Sequence, residues 1–358
     1  MERKNSILRL TTLLFFMLFA WNNEAKPQTS NLKPQTLTML FAENGEAKPQ
    51  TSNQKPQISN LIAPIPPSLG EGTGVGSSTI ALVRELISEA EKKAQTDIFR
   101  GKRTAFQQQP IAESILFFGR KLKGTPYVGK TLDRDTDETL VLNLKELDCT
   151  TFVENVVALA ITFRACQENP LFAANPARLD SMFKHSLQQL RYRGGHISYV
   201  DRLHYFTSWI EDNTLKGLVE EISTPNPPFS STQTLDINFM STHTNLYPQL
   251  VKQPELTSQI AETERNLTGK AVPYIPKSML KDTVSLRKAI NDGDILAIVT
   301  NKKGLDTSHI GFAVWKKNGL HLMHASSIKK RVIEDPQLLF DYMKGHPSQI
   351  GIRVIRVK

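Results

Sequence analysis

The chain is poor in cysteine: only Cys149 and Cys166 occur among 358 residues. A disulfide framework is therefore excluded as the basis of its stability. If one helix carries both thiols, their separation of 17 positions (166 minus 149) spans roughly 25 Å at about 1.5 Å per residue. A disulfide tolerates at most about 7 Å between Cα atoms, so the two cannot pair within such a helix. No cysteine follows the first apolar stretch until position 149, so a lipid-attachment cysteine is missing. That stretch, Leu10 to Ala20, is too short for a comfortable membrane span, and no stable insertion is expected. The Gly-rich run Leu69 to Gly76 lacks the Lys-Ser/Thr ending of a phosphate loop. Basic residues are scattered and no nucleic-acid motif appears, so no nucleic acid is expected as a partner. His321 and His324 would point to opposite faces of a strand, so no metal is expected, and the thiol chemistry set out below needs no organic cofactor.

Hydrophobic and charged fractions of 39% and 22% are those of an ordinary soluble globular protein. A net charge of +9 suits a partner bearing carboxylates. Residues 1–25 read as an export signal: Arg3, Lys4 and Arg9 precede the apolar stretch, and Asn23-Glu24-Ala25 offers an end. Residues 26–78 read as a low-complexity tether. Ala25 to Asn31 recurs as Ala47 to Asn53, a duplication with a period of 22 residues. One extra copy rich in Pro, Gln, Ser and Asn is too little for a solenoid.

Folded structure is expected from 79 to 358 as one domain. Helical spacing covers 79–95, through Val83, Leu86, Ile87 and Ala90, and 110–122. Residues 139–144 read as a short strand. Asp148 is a strong N-cap for a helix from Cys149 to about Cys166, with Phe152, Val156, Leu159, Ala160 and Phe163 on one face. Further helices are expected at 177–191 and 201–221. Beyond these, 295–299, 310–314, 320–323 and 350–357 read as strands, with Asn318-Gly319 as a two-residue hairpin turn. Helices first and an antiparallel meander later predict an α+β fold.

The pattern places chemistry at three points. Cys149 would open its helix, where unpaired amide N–H groups lower a thiol pKa and can donate to an oxyanion. His309 would begin one strand and His324 end the next, so the hairpin makes them neighbours. A thiol at a helix start with two imidazoles on strands is the parts list of a papain-like cysteine hydrolase. His309 would serve as general base and then acid, and His324 would orient it through the far ring nitrogen. Cys166 reads as a small apolar core residue. A segment from 190 to 206 mixes Arg191, Arg193, His196, Tyr199, Arg202, His204 and Tyr205, residues able to clamp a carboxylate and stack on a sugar. Phe239 to His243 and Ala271 to Pro276 are weaker candidates for a pocket wall.

These residues also carry a resemblance. Gly124-Thr-Pro-Tyr-Val, Leu147-Asp-Cys-Thr-Thr-Phe-Val-Glu154, Asp292-Gly-Asp-Ile-Leu296, Ser308-His-Ile-Gly311 and Met323-His-Ala-Ser326 fall in the order seen in NlpC-type cell-wall peptidases. Within that superfamily, residues 105 to 358 look like the N-acetylmuramoyl-L-alanine amidase-like branch, the run from Leu190 to Phe206 being its most specific match. The resemblance implies a papain-like core, its nucleophile helix packed on an antiparallel sheet, with a large mostly helical insertion at about 167–285. It implies a Cys-His-His arrangement at Cys149, His309 and His324, with Tyr127 and Asp148 supporting the nucleophile or oxyanion. Arg191, Arg193, Tyr199, Arg202, His204 and Tyr205 would contact substrate.

The Cys-to-His spacing is 160 (309 minus 149), and Tyr127 lies 22 positions before Cys149. Both gaps exceed those of compact NlpC-type domains and agree with the amidase-like branch. The implied activity is hydrolysis of the N-acetylmuramoyl-L-alanine bond in peptidoglycan fragments, including anhydro-muropeptides, by an exported periplasmic enzyme. The alternatives are a γ-D-glutamyl-diaminopimelate endopeptidase of the same superfamily and a catalytically silent cell-wall binding module.

Overall fold

The computed structural model describes residues 75–102, 104, 109–134 and 137–358. The export signal at 1–25 and the tether lie outside the described residues, save Val75 to Ser78, which already belong to the first helix. Six helices come first: α1 (Val75–Phe99), α2 (Ile111–Lys121), α3 (Cys149–Glu168), α4 (Pro170–Ala174), α5 (Pro176–Arg191) and α6 (Phe206–Leu215). Helix α1 buries Val83, Leu86, Ile87 and Ala90, the stripe that its period of about 3.6 residues dictates.

Helix α3 departs from the one-faced helix expected of it. Every residue from Thr151 to Phe163 is buried, because α2 and α5 cover it on one side and the sheet covers it on the other. By length and apolarity α3 would suit a membrane, yet 83% of its apolar window lies inside the protein. It is the core helix. Burying one such Phe or Val side chain contributes about 1.5–3 kcal/mol. Asp148 starts it with a reciprocal cap: its carboxylate accepts from Thr151 N–H at 2.8 Å, and Thr151 Oγ1 accepts from Asp148 N–H at 2.9 Å.

The strands are β1 (Val219–Ile222), β2 (Ser231–Thr234), β3 (Ala271–Pro276), β4 (Ile295–Thr300), β5 (Thr307–Lys316), β6 (Gly319–Ser326), β7 (Arg331–Glu334) and β8 (Gln349–Val357). They form a sheet in the order β2-β3-β8-β4-β5-β6-β7, with β1 also on β8, and every pairing between these strands is antiparallel. The architecture is α+β. Short helices α7 (Phe239–Thr242), α8 (Pro248–Lys252) and α9 (Leu256–Leu267) gather a local core of Leu235, Ile237, Met240, Leu250, Ile260 and Leu267. Helices α10 (Thr283–Ala289) and α11 (Leu339–Lys344) cover the sheet face formed by Leu296, Ile298, Ala313, Leu322, Ile352 and Val354.

Three local expectations are corrected. Residues 139–144 form no strand, because their carbonyls are taken by side chains: Tyr192 Oη donates to Thr139 O at 3.0 Å and Arg191 Nη1 to Val141 O at 2.8 Å. The helix expected over 201–221 is shorter. It runs from Phe206 to Leu215, Gly217 turns the chain at φ 72°, and Val219 onward pairs with β8 instead. The β5–β6 turn is Lys317-Asn318, one residue earlier than expected. Lys316 pairs with Gly319, whose φ of 139° only glycine adopts without strain.

Candidate active site

Two connections bring the site together. The loop after α2 crosses beside the start of α3, where Tyr127 bridges to Leu147: Val128 N–H donates to Leu147 O at 3.1 Å and Leu147 N–H to Pro126 O at 3.0 Å. This sets Tyr127 next to Asp148 and Cys149. Phe152 of α3 then packs edge-on against Phe312 of β5, with ring centroids 5.6 Å apart. The contact holds the amino end of α3 over the first residues of β5.

Cys149, Thr150, Ser308, His309 and Ile310 consequently line one cavity of about 210 Å³. His204, Tyr205, Phe206, Met240, Tyr247 and Leu305 are also part of its wall. Both thiols are free and sit on α3, Cys149 half-buried and Cys166 buried. His309 Nε2 lies 2.5 Å from His324 Nδ1, and the two rings meet edge-on. Gly311 makes this approach possible: a Cβ there would stand 2.9 Å from His324 Cβ and 2.7 Å from Met323 O.

The electrostatics correct the expectation of a thiol made acidic by its helix. Burial and the adjacent Asp148 carboxylate push Cys149 up to about 12, outweighing hydrogen bonds from Ile310 N–H and from the Thr150 hydroxyl and N–H. Burial, then His324 and His346, hold the His309 ring well below the usual imidazole range. The resting pair is a neutral thiol facing a neutral imidazole. Burial, Cys149 and Asp148 raise Tyr127 far above the usual phenol range, so its hydroxyl keeps its proton. Asp148 thus supports Cys149 by position, as the cap of α3, and opposes its ionisation by charge.

The segment from 190 to 206 divides. His204 and Tyr205 face the cavity. His204 Nε2 lies 2.7 Å from Tyr199 O, and burial with nearby Arg202 pushes this ring down to about 3. Tyr205 Oη donates to Glu264 at 2.6 Å and accepts from Met240 N–H at 3.0 Å, fixing that wall. Tyr199 instead lines a second cavity, of about 460 Å³, together with Glu138, Ser198, Asp201, Gln249 and Gln253. Arg191 is 1% exposed and bonded to Glu154 at 2.7 Å. Arg202 is buried against Asp133, Glu138 and the Leu132 carbonyl, with its guanidinium over the Tyr199 ring. Both guanidinia are committed to protein partners. Arg193 is exposed and lines neither cavity. Asp292 and Asp294, from another of the quoted motifs, brace β4 and β5 through Trp315 N–H and Arg356. Of the weaker wall candidates, Met240 reaches the active cavity and Ala271 to Pro276 form β3.

Two groups at the site carry no sequence signal. Asp335, just after β7, places a carboxylate oxygen 3.5 Å from His324 Nε2. Tyr342 of α11 packs edge-on against His324, with centroids 5.4 Å apart, and burial raises its hydroxyl to about 12 despite a bond to Gln349. Among the described residues no group of three or more His, Cys, Asp or Glu is arranged to hold a metal ion.

Comparison with known proteins bears on what this geometry serves. A family model described as N-acetylmuramoyl-L-alanine amidase-like matches residues 117–352. A crystal structure of an N-acetylmuramoyl-L-alanine amidase from Bacteroides uniformis is 38% identical, covering 69% of this chain and 99% of its own, with a TM-score of 0.62. A Bacteroides fragilis protein described as a candidate xylanase is 40% identical over 67% of this chain and 99% of its own, with a TM-score of 0.60. A Legionella pneumophila protein at 21% identity shares the fold over 79% of this chain and 95% of its own, with a TM-score of 0.55. The search of curated proteins gives no match. With the family model spanning well over half its length, the chain belongs to the N-acetylmuramoyl-L-alanine amidase-like family.

Proposed function

We propose that the protein is an exported, periplasmic cysteine amidase with a papain-like, NlpC-type core. It hydrolyses the N-acetylmuramoyl-L-alanine bond of peptidoglycan fragments, anhydro-muropeptides among them. The observation that carries the reading is the shared cavity: Cys149 at the start of α3, with His309 and its partner His324 on the adjoining hairpin. A volume of about 210 Å³ admits the scissile amide and leaves the rest of a muropeptide outside. Nothing in this chemistry calls for a cofactor.

With thiol and imidazole both neutral, proton transfer accompanies attack. His309 Nε2 is turned to His324, leaving Nδ1 for the thiol. As Cys149 Sγ bonds to the lactyl carbonyl carbon, its proton passes to His309 Nδ1. The developing oxyanion is met by N–H groups of the first turn of α3 and by the protonated Tyr127 hydroxyl. The C–N bond then breaks, and His309 gives its proton to the departing amine of L-alanine. Water, deprotonated by His309, attacks the thioester, releases the lactyl carboxylate and restores the thiol. His204 and Tyr205 contact the groups flanking the amide.

Defined muropeptides with mass analysis of the products test this. Free disaccharide with intact stem peptide is expected, and a Cys149→Ala protein should release none. Disaccharide retaining L-Ala-D-Glu would instead identify a γ-D-glutamyl-diaminopimelate endopeptidase. Normal turnover by the Cys149→Ala protein would refute the thiol mechanism.

A further inference from the structure

The two ring nitrogens that meet between β5 and β6 can share only one proton, so the direction of that bond has to be set elsewhere. His324 is 1% exposed, its Nε2 has no hydrogen-bond partner among the described residues, and Asp335 Oδ2 lies 3.5 Å from it. A buried imidazole N–H needs an acceptor, and an ionised carboxylate offers nothing else. Although burial raises Asp335, the nearby His324 ring and a hydrogen bond from Gln337 N–H leave its carboxyl below the usual carboxylate range.

We propose that Asp335 is a positioning residue that fixes the tautomers of both histidines in series. Its carboxylate takes the His324 Nε2–H, which leaves His324 Nδ1 bare. That nitrogen accepts from His309 Nε2–H at 2.5 Å. His309 Nδ1 is thereby left without a proton on the cavity side, the form a general base requires. The inference rests on the cysteine amidase reading for its consequence, and on geometry alone for the tautomers.

Asp335 is itself held on three sides. Its Oδ1 accepts from Gln337 N–H at 2.9 Å, its own N–H donates to Leu322 O at 2.8 Å, and its carbonyl lies 3.0 Å from His321 Nδ1. The His324 ring is confined as well, between the edge-on Tyr342 ring and the bare backbone of Gly311. When His309 takes the thiol proton, the Asp335 charge lies in line behind both rings and offsets the positive charge that forms.

Because Gln337 N–H claims one oxygen, Asp335→Asn would turn its NH₂ toward His324 Nε2 and reverse both tautomers. Nitrogen-15 spectra of histidine-labelled, substrate-free protein at pH 8, above the ordinary imidazole pKa, read them directly. His309→Gln and His324→Gln proteins assign the signals. Wild-type protein should carry the proton on Nε2 of both rings, and Asp335→Asn should move it to Nδ1 of both. In the same variant kcat should fall roughly 10- to 100-fold, part of the about 10²–10⁴-fold supplied by a general base, with KM within about twofold. Asp335→Glu should keep the wild-type tautomers and recover most of kcat. A wild-type His309 protonated on Nδ1 would overturn the proposal, whether or not the Asn variant folds, and so would an Asn variant with unchanged kcat and tautomers. A wrong substrate would leave the tautomer result standing, and activity surviving Cys149→Ala would count against the amidase mechanism alone.

Discussion

Arg191 was expected to touch substrate, and the structure instead seals it against Glu154 of the core helix. Replacing it with Met separates the two roles, since Met has a similar length and no charge. Glu154 would lose its guanidinium partner and Val141 its donor, inside a site where both side chains of the ion pair are at most 3% exposed. Removing one member of a buried pair costs about 3–5 kcal/mol, whereas replacing both by neutral groups is often neutral. At about 2–4 °C per kcal/mol for a domain of 150–250 residues, the melting temperature of Arg191→Met should fall by roughly 6–20 °C. The double variant Glu154→Gln/Arg191→Met should recover most of that loss. Burial already raises the Glu154 carboxyl above its usual range, and without Arg191 it rises further. A carboxyl whose folded pKa is raised destabilises the fold at high pH and ceases to do so once protonated. The deficit of the single variant should therefore shrink as pH falls through that folded pKa toward the ordinary carboxyl value. Thermal melts at pH 7.5 and pH 5, with kcat and KM on muropeptides, decide the matter. A melting temperature within about 2 °C of wild type, together with a raised KM, would refute the structural role.

Four more outcomes follow from the site. A thiol pushed up to about 12 is neutral at pH 7, so the rate of Cys149 alkylation by iodoacetamide in a Cys166→Ala background should climb with pH and show no plateau below pH 9. Because His309 is held below the usual imidazole range, it stays neutral through pH 6.5, and the acid limb of kcat/KM should lie below that value. Gly311→Ala would drive a methyl group into Met323 O and His324 Cβ, so both melting temperature and kcat should drop, and a variant with wild-type kcat would contradict the close approach of the strands. Tyr205→Phe removes the hydroxyl that Glu264 and Met240 N–H share, so unfolding in urea should show a loss of about 1–3 kcal/mol.

Much of this was legible where local pattern governs. The stripe on α1, the cap at Asp148 and the short strands from Ile295 onward follow from spacing and turn residues alone. The hairpin also brings His309 beside His324 because strand alternation leaves few other arrangements. What escaped depends on distant partners. Arg191 and Arg202 look like ligand-binding residues in sequence because nothing nearby announces Glu154, 37 positions earlier, or Asp133, 69 positions earlier. Tyr342 and Asp335 approach the histidines only after α11 and β7 have folded onto the sheet. The thiol misleads for a related reason: a helix start favours its charge, while burial beside Asp148 works against it, and burial is invisible in sequence.

The position of β8 has a consequence for how the chain reaches this state. This strand, following all the other described elements, meets β4 along one edge and β1 with β3 along the other. A ribosome must therefore finish every other described element before the middle of the sheet exists, and the two flanks wait as unmatched edges until then. Such late, distant zippering is slow. Removing residues 349 to 357 should thus yield a chain that never closes, not one that has merely lost an edge.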